Sequence, residues 1–348
     1  MKTNKEELCG FSLQQLHTVV KNLGEPSYRA DQIYSWIHRK KASRFSQMTN
    51  LSKDLISRLE NRYDICPLKE AGVQTGKDGT TKYLLEMKDG HSVETVLIPG
   101  GKRKTLCLSS QVGCKFGCPF CVSGSRGFQR HLSTAEIVAQ VLTVSRTSRT
   151  SPTHLVFMGI GEPLDNFDNV MDAVRLINSR EGINIGARHI TLSTCGIVPA
   201  IRRLKNLNLQ IGLSISLHAT TDELRNRLVP VNRKYPLKLL LQACREYMNE
   251  TGRIITLEYA VMNGINDSPD EAARLGRMAK NLKAKINLIP CNPNQSPSYS
   301  GTGGERLQHF QQAVEATGAR TTLRHTRGRD ILAACGQLAY NRQKNNQA

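Results

Sequence analysis

Cys107, Cys114, Cys118 and Cys121 crowd into one stretch of this 348-residue chain. The last three read Cys114-Lys-Phe-Gly-Cys118-Pro-Phe-Cys121, with gaps of three and then two residues. Cysteine thiolates are soft ligands, suited to zinc or to iron–sulfur clusters. Three on one short loop can hold three irons of a four-iron cluster and leave the fourth iron open to a substrate. Gly113 and Gly117 allow the tight turns that such a loop needs. Structural zinc is the competing reading. It needs four ligands, with His131 a candidate fourth, and more often uses two separated cysteine pairs. The spacing therefore favours the cluster. The other cysteines, Cys9, Cys66, Cys195, Cys244, Cys291 and Cys335, stand apart.

The elements around this loop follow from hydrophobic periodicity. Leu13, Leu16, Val19, Val20 and Leu23 recur at helical spacing after Ser12, a good N-cap. A second helix carries Ile33, Tyr34, Trp36 and Ile37, with Trp36 read as core packing. A third runs from about Leu51 through Leu55, Ile56 and Leu59. Thr81–Met87 and Ser92–Ile98 read as strands joined by Lys88-Asp89-Gly90-His91, a hairpin signal. Pro99-Gly100-Gly101 then breaks the chain. From residue 105 strands at 105–110, 153–158, 188–193, 210–216, 254–261, 284–289 and 319–324 alternate with helical patterns. One of these opens on Ser133-Thr134-Ala135-Glu136, a capping box. Such βα repeats predict an α/β fold on a parallel sheet, open or closed into a full or partial barrel, with ligands at the C-terminal strand ends. The expected division is a helical accessory domain with a β-hairpin over 1–99, a core over 100–340 and a polar tail over 341–348.

The cluster loop directly follows the first strand of the βα series. In this it resembles the radical S-adenosylmethionine superfamily, whose cluster chelates the methionine end of the cofactor through its open iron. Further candidates fall at strand ends. Gly161 and Glu162, in Gly159-Ile-Gly161-Glu162-Pro163, follow the strand 153–158. The glycines let a ligand approach the backbone, and Glu162 could accept a hydrogen bond from the cofactor's ammonium group. Ser193 ends the next strand, Ser216-Leu217-His218 the one after, and Asn292 follows 284–289 through Pro290-Cys291. Each alone reads as a loop or N-cap polar group; in register behind a cluster loop they become cofactor-binding candidates.

Cys107-Leu-Ser-Ser-Gln-Val-Gly-Cys114, the cluster loop, Met158-Gly-Ile-Gly-Glu-Pro-Leu164, Leu192-Ser-Thr, Ser214-Ile-Ser-Leu-His218, Leu228-Val-Pro-Val-Asn232 and Ala334-Cys-Gly-Gln-Leu338 occur in one order. Together they resemble the RlmN/Cfr family of RNA adenosine methyltransferases, over roughly residues 12–340. The resemblance implies a partial (β/α) barrel, a [4Fe–4S] cluster on Cys114, Cys118 and Cys121, and two S-adenosylmethionine molecules per turnover. It implies that Cys335 carries a methyl group as S-methylcysteine, which a 5′-deoxyadenosyl radical activates. Cys107 then resolves the protein–RNA adduct through a transient disulfide with Cys335, and Glu94 accepts a proton. Glu-Pro-Leu at 162–164 and Ser-Leu-His-Ala at 216–219 look more like the branch making 2-methyladenosine in 23S rRNA and tRNA than the branch making 8-methyladenosine in 23S rRNA. A flavodoxin- or ferredoxin-type protein is the implied electron donor. Cys195 and Cys291 depart from the small and aromatic residues the pattern leads one to expect.

Charge fits an RNA partner. Lys and Arg number 48 against 29 Asp and Glu, a formal net charge of +19, and so basic a protein usually meets a polyanion. Basic residues gather at His38-Arg39-Lys40-Lys41, Lys102–Lys104, Arg126 and Arg130, Arg225 and Arg227, Arg233-Lys234, and Arg320 to Arg329. No membrane-length apolar segment and no signal core is evident, so a cytoplasmic location and reduced thiols are expected. A zinc-stabilised RNA-binding module without chemistry would explain the charge and the cysteine loop, but neither the strand-end series nor Cys335.

Overall fold

Ten strands of one sheet lie side by side in chain order in the computed structural model, which describes residues 5–66, 68–292, 299–324 and 326–338. They are β1 (Lys69–Thr75), β2 (Thr81–Glu86), β3 (Ser92–Gly100), β4 (Arg103–Cys107) and β5 (His154–Phe157), then β6 (Ile190–Thr194), β7 (Gly212–Ser216), β8 (Thr256–Val261), β9 (Lys285–Pro290) and β10 (Arg320–Leu323). From β4 to β10 every neighbouring pair is parallel. A parallel ladder in unbroken chain order needs crossovers that all wind the same way, which places the helices together on one face. This is the arc of an opened (β/α) barrel, with β1 and β10 as its edges among the described residues. Strands shielded on both faces read as continuous apolar runs, as in β8, where all residues from Leu257 to Val261 are buried.

The strands read from the sequence are all present, their ends shifted by at most three residues. β1 is the addition. Six of its seven residues are exposed, so it carries no buried stripe for periodicity to reveal. β1 to β4 form antiparallel hairpins. The boundary expected at 99/100 falls inside the end of β3, whose ladder with β4 pairs Val96 with Cys107 and Gly100 with Arg103. Residues on both sides of that position thus share one sheet. The tail over 341–348 lies outside the described residues.

Three helices precede the sheet. Leu13–Asn22 opens on a capping box between Ser12 and Gln15, Tyr28–His38 follows, and Lys53–Arg62 is capped by Ser52. Leu16, Val20, Ile33, Ile37, Leu55 and Leu59 join the main core. Trp36 packs at its edge, donates from Nε1 to Asn50 Oδ1 at 2.5 Å, and carries Lys40 Nζ 3.6 Å above its ring. Among the described residues no helix is long and apolar enough to cross a membrane.

Candidate active site

The C-terminal ends of β5 to β9 and the loop after β4 surround a cavity of about 1100 Å³, part of it continuous with solvent. Its walls include Cys114, Cys118 and Cys121, and also Gly161, Glu162, Ser193, Ser216, His218, Asn292 and Cys335. Six of the seven cofactor candidates therefore share one space with the cluster loop. Leu217 is the exception: its side chain is in the core, and its N–H donates to the Glu258 carbonyl at 3.0 Å.

The cluster loop is clamped at its base. Gln111–Gly113 and Phe128–His131 form a short antiparallel ladder that periodicity did not reveal, because each strand is too short. Gly113 and Gly117 take φ of +75° and +62°, as the turns require. Gln111 Nε2 donates to Asp165 Oδ2 at 2.8 Å and lies 3.0 Å from His131 Nδ1, so His131 is engaged away from the cysteines. Lys115 pairs with Asp165 at 2.6 Å.

The thiols fit a cluster better than a single ion. Among the described residues no three His, Cys, Asp or Glu side chains converge as one metal ion would need. The cysteines instead line a shared cavity wall, as ligands to separate irons do. Burial pushes the Cys114 thiol up to about 12 and the Cys118 thiol well above its ordinary value. Thiols so placed become thiolates when a metal takes the charge.

Glu162 is fixed by the backbone. Its Oε1 accepts from Leu164 N at 3.0 Å and its Oε2 from Cys195 N at 2.8 Å, while its own N–H donates to Gln111 Oε1 at 2.8 Å. Burial raises its pKa against these donors. Gly161 has φ of +99°, and a Cβ there would lie 2.5 Å from Gln111 Cβ. Ser193 and Ser216 hydroxyls sit 3.4 Å apart. His218 has φ of +57°, an uncommon value for a side-chain-bearing residue. Its Nδ1 accepts from Ala260 N at 2.9 Å, which fixes the neutral tautomer with the proton on Nε2. Burial and then Arg225 lower its pKa to about 3.

Arg225 is fully buried. It donates to the carbonyls of Cys195 (2.7 Å), Leu217 (3.1 Å) and Ser216 (3.2 Å), and to Asn232 Oδ1 at 2.9 Å. It thus ties the ends of β6 and β7 together and does not face RNA. Of the other residues in the expected basic clusters, two are held within the fold to different degrees. His38 is buried, and Arg130 is engaged with Asp89 (2.6 Å) and Glu136 (2.8 Å). A count of basic residues cannot tell a buried guanidinium from an exposed one.

Cys335 sits where the large cavity meets a smaller one, lined by Ile98, Cys107, Met158, Arg324, Arg327 and Leu338 among others. Hydrogen bonds from neighbouring elements hold its loop. Asn292 Nδ2 donates to the Cys335 carbonyl (3.2 Å), Val122 N to that of Gly336 (2.9 Å) and Ser123 Oγ to that of Leu338 (2.7 Å). All ten cysteines are free thiols. Burial pushes the Cys107 thiol up to about 12. Glu94 is buried on β3, on the face it shares with Val96 and its ladder partner Cys107. Its carboxylate pairs with Lys82 at 3.0 Å, and it lines neither cavity. Sequence reasoning missed Glu258, which lines the large cavity and accepts from Asn287 Nδ2 at 2.6 Å, and Arg324. Cys195 and Cys291 are buried and also line the large cavity.

An opened barrel with three cysteines at its C-terminal mouth defines a radical S-adenosylmethionine enzyme, carrying a [4Fe–4S] cluster and S-adenosylmethionine. Residues 108–276 match the model of the Radical SAM superfamily, and residues 6–65 that of the ribosomal RNA large subunit methyltransferase N-terminal domain. Curated relatives described as "Probable dual-specificity RNA methyltransferase RlmN", from Bacillus cytotoxicus and Bacillus cereus, are 42% identical over 347 residues, covering 99% of this chain and 96% of each relative. The crystal structure of a radical SAM methyltransferase from Sphaerobacter thermophilus superposes with a TM-score of 0.93 at 42% identity, over 96% of this chain and 99% of that one. The chain belongs to the RlmN family of radical SAM RNA methyltransferases.

Proposed function

We propose that this protein makes 2-methyladenosine in 23S rRNA and in tRNA, with Cys335 as carrier of the methyl group. The position of Cys335 carries the reading: it faces the cluster cysteines on one side and Cys107 on the other. An aromatic C–H carbon is not nucleophilic, so it cannot take a methyl cation directly and needs a carbon radical. When bound, the cluster with one S-adenosylmethionine supplies a 5′-deoxyadenosyl radical, and a second S-adenosylmethionine supplies the methyl group.

Cys114, Cys118 and Cys121 hold the cluster in this reading. Gly161, Glu162, Ser193, Ser216, His218, Asn292 and the Leu217 main chain orient the cofactor, with the Glu162 carboxylate toward its ammonium group. The Cys335 sulfur bonds to the incoming methyl carbon as the sulfonium C–S bond breaks, and that electron pair stays on the departing sulfur. The S-methyl group loses a hydrogen atom to the 5′-deoxyadenosyl radical, its carbon joins adenine C2, and the unpaired electron left on the adduct would return to the oxidised cluster. Glu94 takes the C2 proton. Cys107 bonds to the Cys335 sulfur and breaks its S–CH2 bond, leaving the carbon on RNA to gain a proton. A flavodoxin- or ferredoxin-type donor in the cytoplasm supplies electrons. The target base leaves its stack to reach the cavity, as chemistry on a ring carbon requires.

The test is nucleoside chromatography of 23S rRNA and tRNA from a strain lacking the gene and from the restored strain. 2-Methyladenosine should vanish and return in both RNAs. Restoration of 8-methyladenosine alone overturns the C2 assignment, and unmodified tRNA confines the activity to rRNA.

A further inference from the structure

Glu6–Glu7 and Tyr63–Asp64 form a short parallel ladder, which brings the chain before the first helix against the chain after the third. Glu6 lies opposite Tyr63 and Glu7 opposite Asp64. Carried on by two residues, that register sets Cys9 opposite Cys66. The Cys9 N–H donates to the Ile65 carbonyl at 3.0 Å, the bond that a parallel pairing of Cys9 with Cys66 requires. Paired strands run about 4.8 Å apart, and a disulfide joins Cα atoms about 4.4–6.8 Å apart.

Both side chains point the same way, onto the helix Thr134–Thr147. Cys9 Sγ lies 3.5 Å from the Ala135 carbonyl, and Cys66 Sγ 3.7 Å from Thr143 Oγ1. The sulfurs are close enough to perturb one another, so the Cys9 proton has two acceptors, the Ala135 carbonyl and the Cys66 sulfur. The two thiols differ in access: Cys9 is buried and Cys66 partly exposed. Burial pushes the Cys9 thiol well up. Donation from Cys9 brings the Cys66 thiol down against burial, with further help from the Leu68 N–H, the Thr143 hydroxyl and Arg146. Arg146 stands one turn beyond Thr143 on the same helix, and among the described residues its buried Nη1 has no hydrogen-bond partner. A partly exposed thiol near a cation, with a second thiol behind it, is the arrangement of a reactive cysteine and its resolving partner. Neither thiol lines the two cavities around Cys335.

We propose that Cys9 and Cys66 are a modification site, oxidised by small disulfides to a disulfide bond that clasps the two ends of the helical domain together. The Cys66 sulfur attacks a small disulfide, forming a mixed disulfide and releasing one thiol. Cys9 then gives up its proton, bonds to the Cys66 sulfur and displaces the second thiol. The two cysteines lose two electrons and two protons, and the small disulfide gains them as two thiols. The new bond closes the three helices into one covalent loop, seated on the helix that follows the metal-binding loop.

The experiment treats the cluster-loaded full chain, in the absence of oxygen, with 2-hydroxyethyl disulfide and maps linked peptides by mass spectrometry. Wild-type protein should show Cys9 joined to Cys66, unchanged iron and sulfide content, and a melting temperature higher by about 5 °C. Dithiothreitol should reverse both the link and the shift. Cys9→Ser should stop at a mixed disulfide on Cys66. Cys66→Ser should leave Cys9 free, and Cys66→Ala is the second variant should the serine protein not fold. Wild-type protein in which both thiols stay free, or in which Cys66 stops at the mixed disulfide, overturns the proposal. A link that forms without raising the melting temperature overturns the clasp.

Discussion

The side-chain amide of Asn292 donates to the main-chain carbonyl of Cys335 at 3.2 Å. A residue placed at a strand end as a cofactor contact is therefore also a tether for the loop of the candidate methyl carrier. Losing such a bond costs about 1 kcal/mol, or about fivefold in an equilibrium. Asn292→Ala should lower Cys335 methylation, read by peptide mass spectrometry, several-fold at normal iron content. A variant that loses only cofactor affinity, with Cys335 methylated at the wild-type rate under saturating cofactor, would separate the two roles.

The two extra thiols should fail differently. Cys335→Ala is expected to keep the visible iron–sulfur absorbance and give neither methylated protein nor RNA product. Cys107→Ala should still methylate Cys335 and add to RNA, then stall as a covalent adduct that migrates slowly on denaturing gels. A methyl group on Cys107, or RNA product from Cys335→Ala, contradicts the assignment. In both variants Cys114, Cys118 and Cys121 are untouched, so loss of iron would point to misfolding instead.

Gly161→Ala combines two penalties, a left-handed φ of +99° and a Cβ 2.5 Å from Gln111 Cβ. Backbone strain of this kind costs about 1–3 kcal/mol. Because Gln111 is tied to Asp165 and the Glu162 N–H, the shift passes to the carboxylate. Weaker S-adenosylmethionine binding by calorimetry and a lower melting temperature are expected together. Binding at wild-type affinity would show that the loop absorbs the methyl group.

Acid stability should depend on His38. Burial lowers its pKa to about 3, and among the described residues neither ring nitrogen has a hydrogen-bond partner. Between the ordinary value of 6.5 and about 3, the unfolded chain holds a proton that the folded one refuses. Stability is then lost as pH falls through that window, by about 1.4 kcal/mol per pH unit. His38→Phe keeps a ring against Tyr34, whose centroid lies 4.3 Å away, and removes the titration. Its melting temperature should fall less steeply than the wild type's between pH 6 and 4. Parallel curves would assign the acid loss to other groups, His218 among them.

The features legible in the sequence are those where chemistry needs a fixed residue type at a fixed spacing. The cysteine loop, Gly161-Glu162 and the strand-end polar groups are of this kind, and all but the Leu217 side chain reach one cavity. Arg225 shows the limit. Its residue type says cation, and only the packing of β6 against β7 says that it serves three carbonyls. Glu258 and Arg324 were hidden for a related reason. Each lies in an apolar or basic run, and only the curvature of neighbouring strands brings it to the cavity wall. β1 escaped because an exposed edge strand has no alternation to read.

Val122 N–H holds the Gly336 carbonyl at 2.9 Å, and Val122 directly follows Cys121. The amide that seats the Cys335 loop thus moves with the last cysteine of the metal-binding turn. Maturation of the metal site and seating of that loop become one step in assembly. A preparation short of iron should be nicked by protease near Gly336 in proportion to its deficit, making limited proteolysis a gauge of how much of a sample has matured.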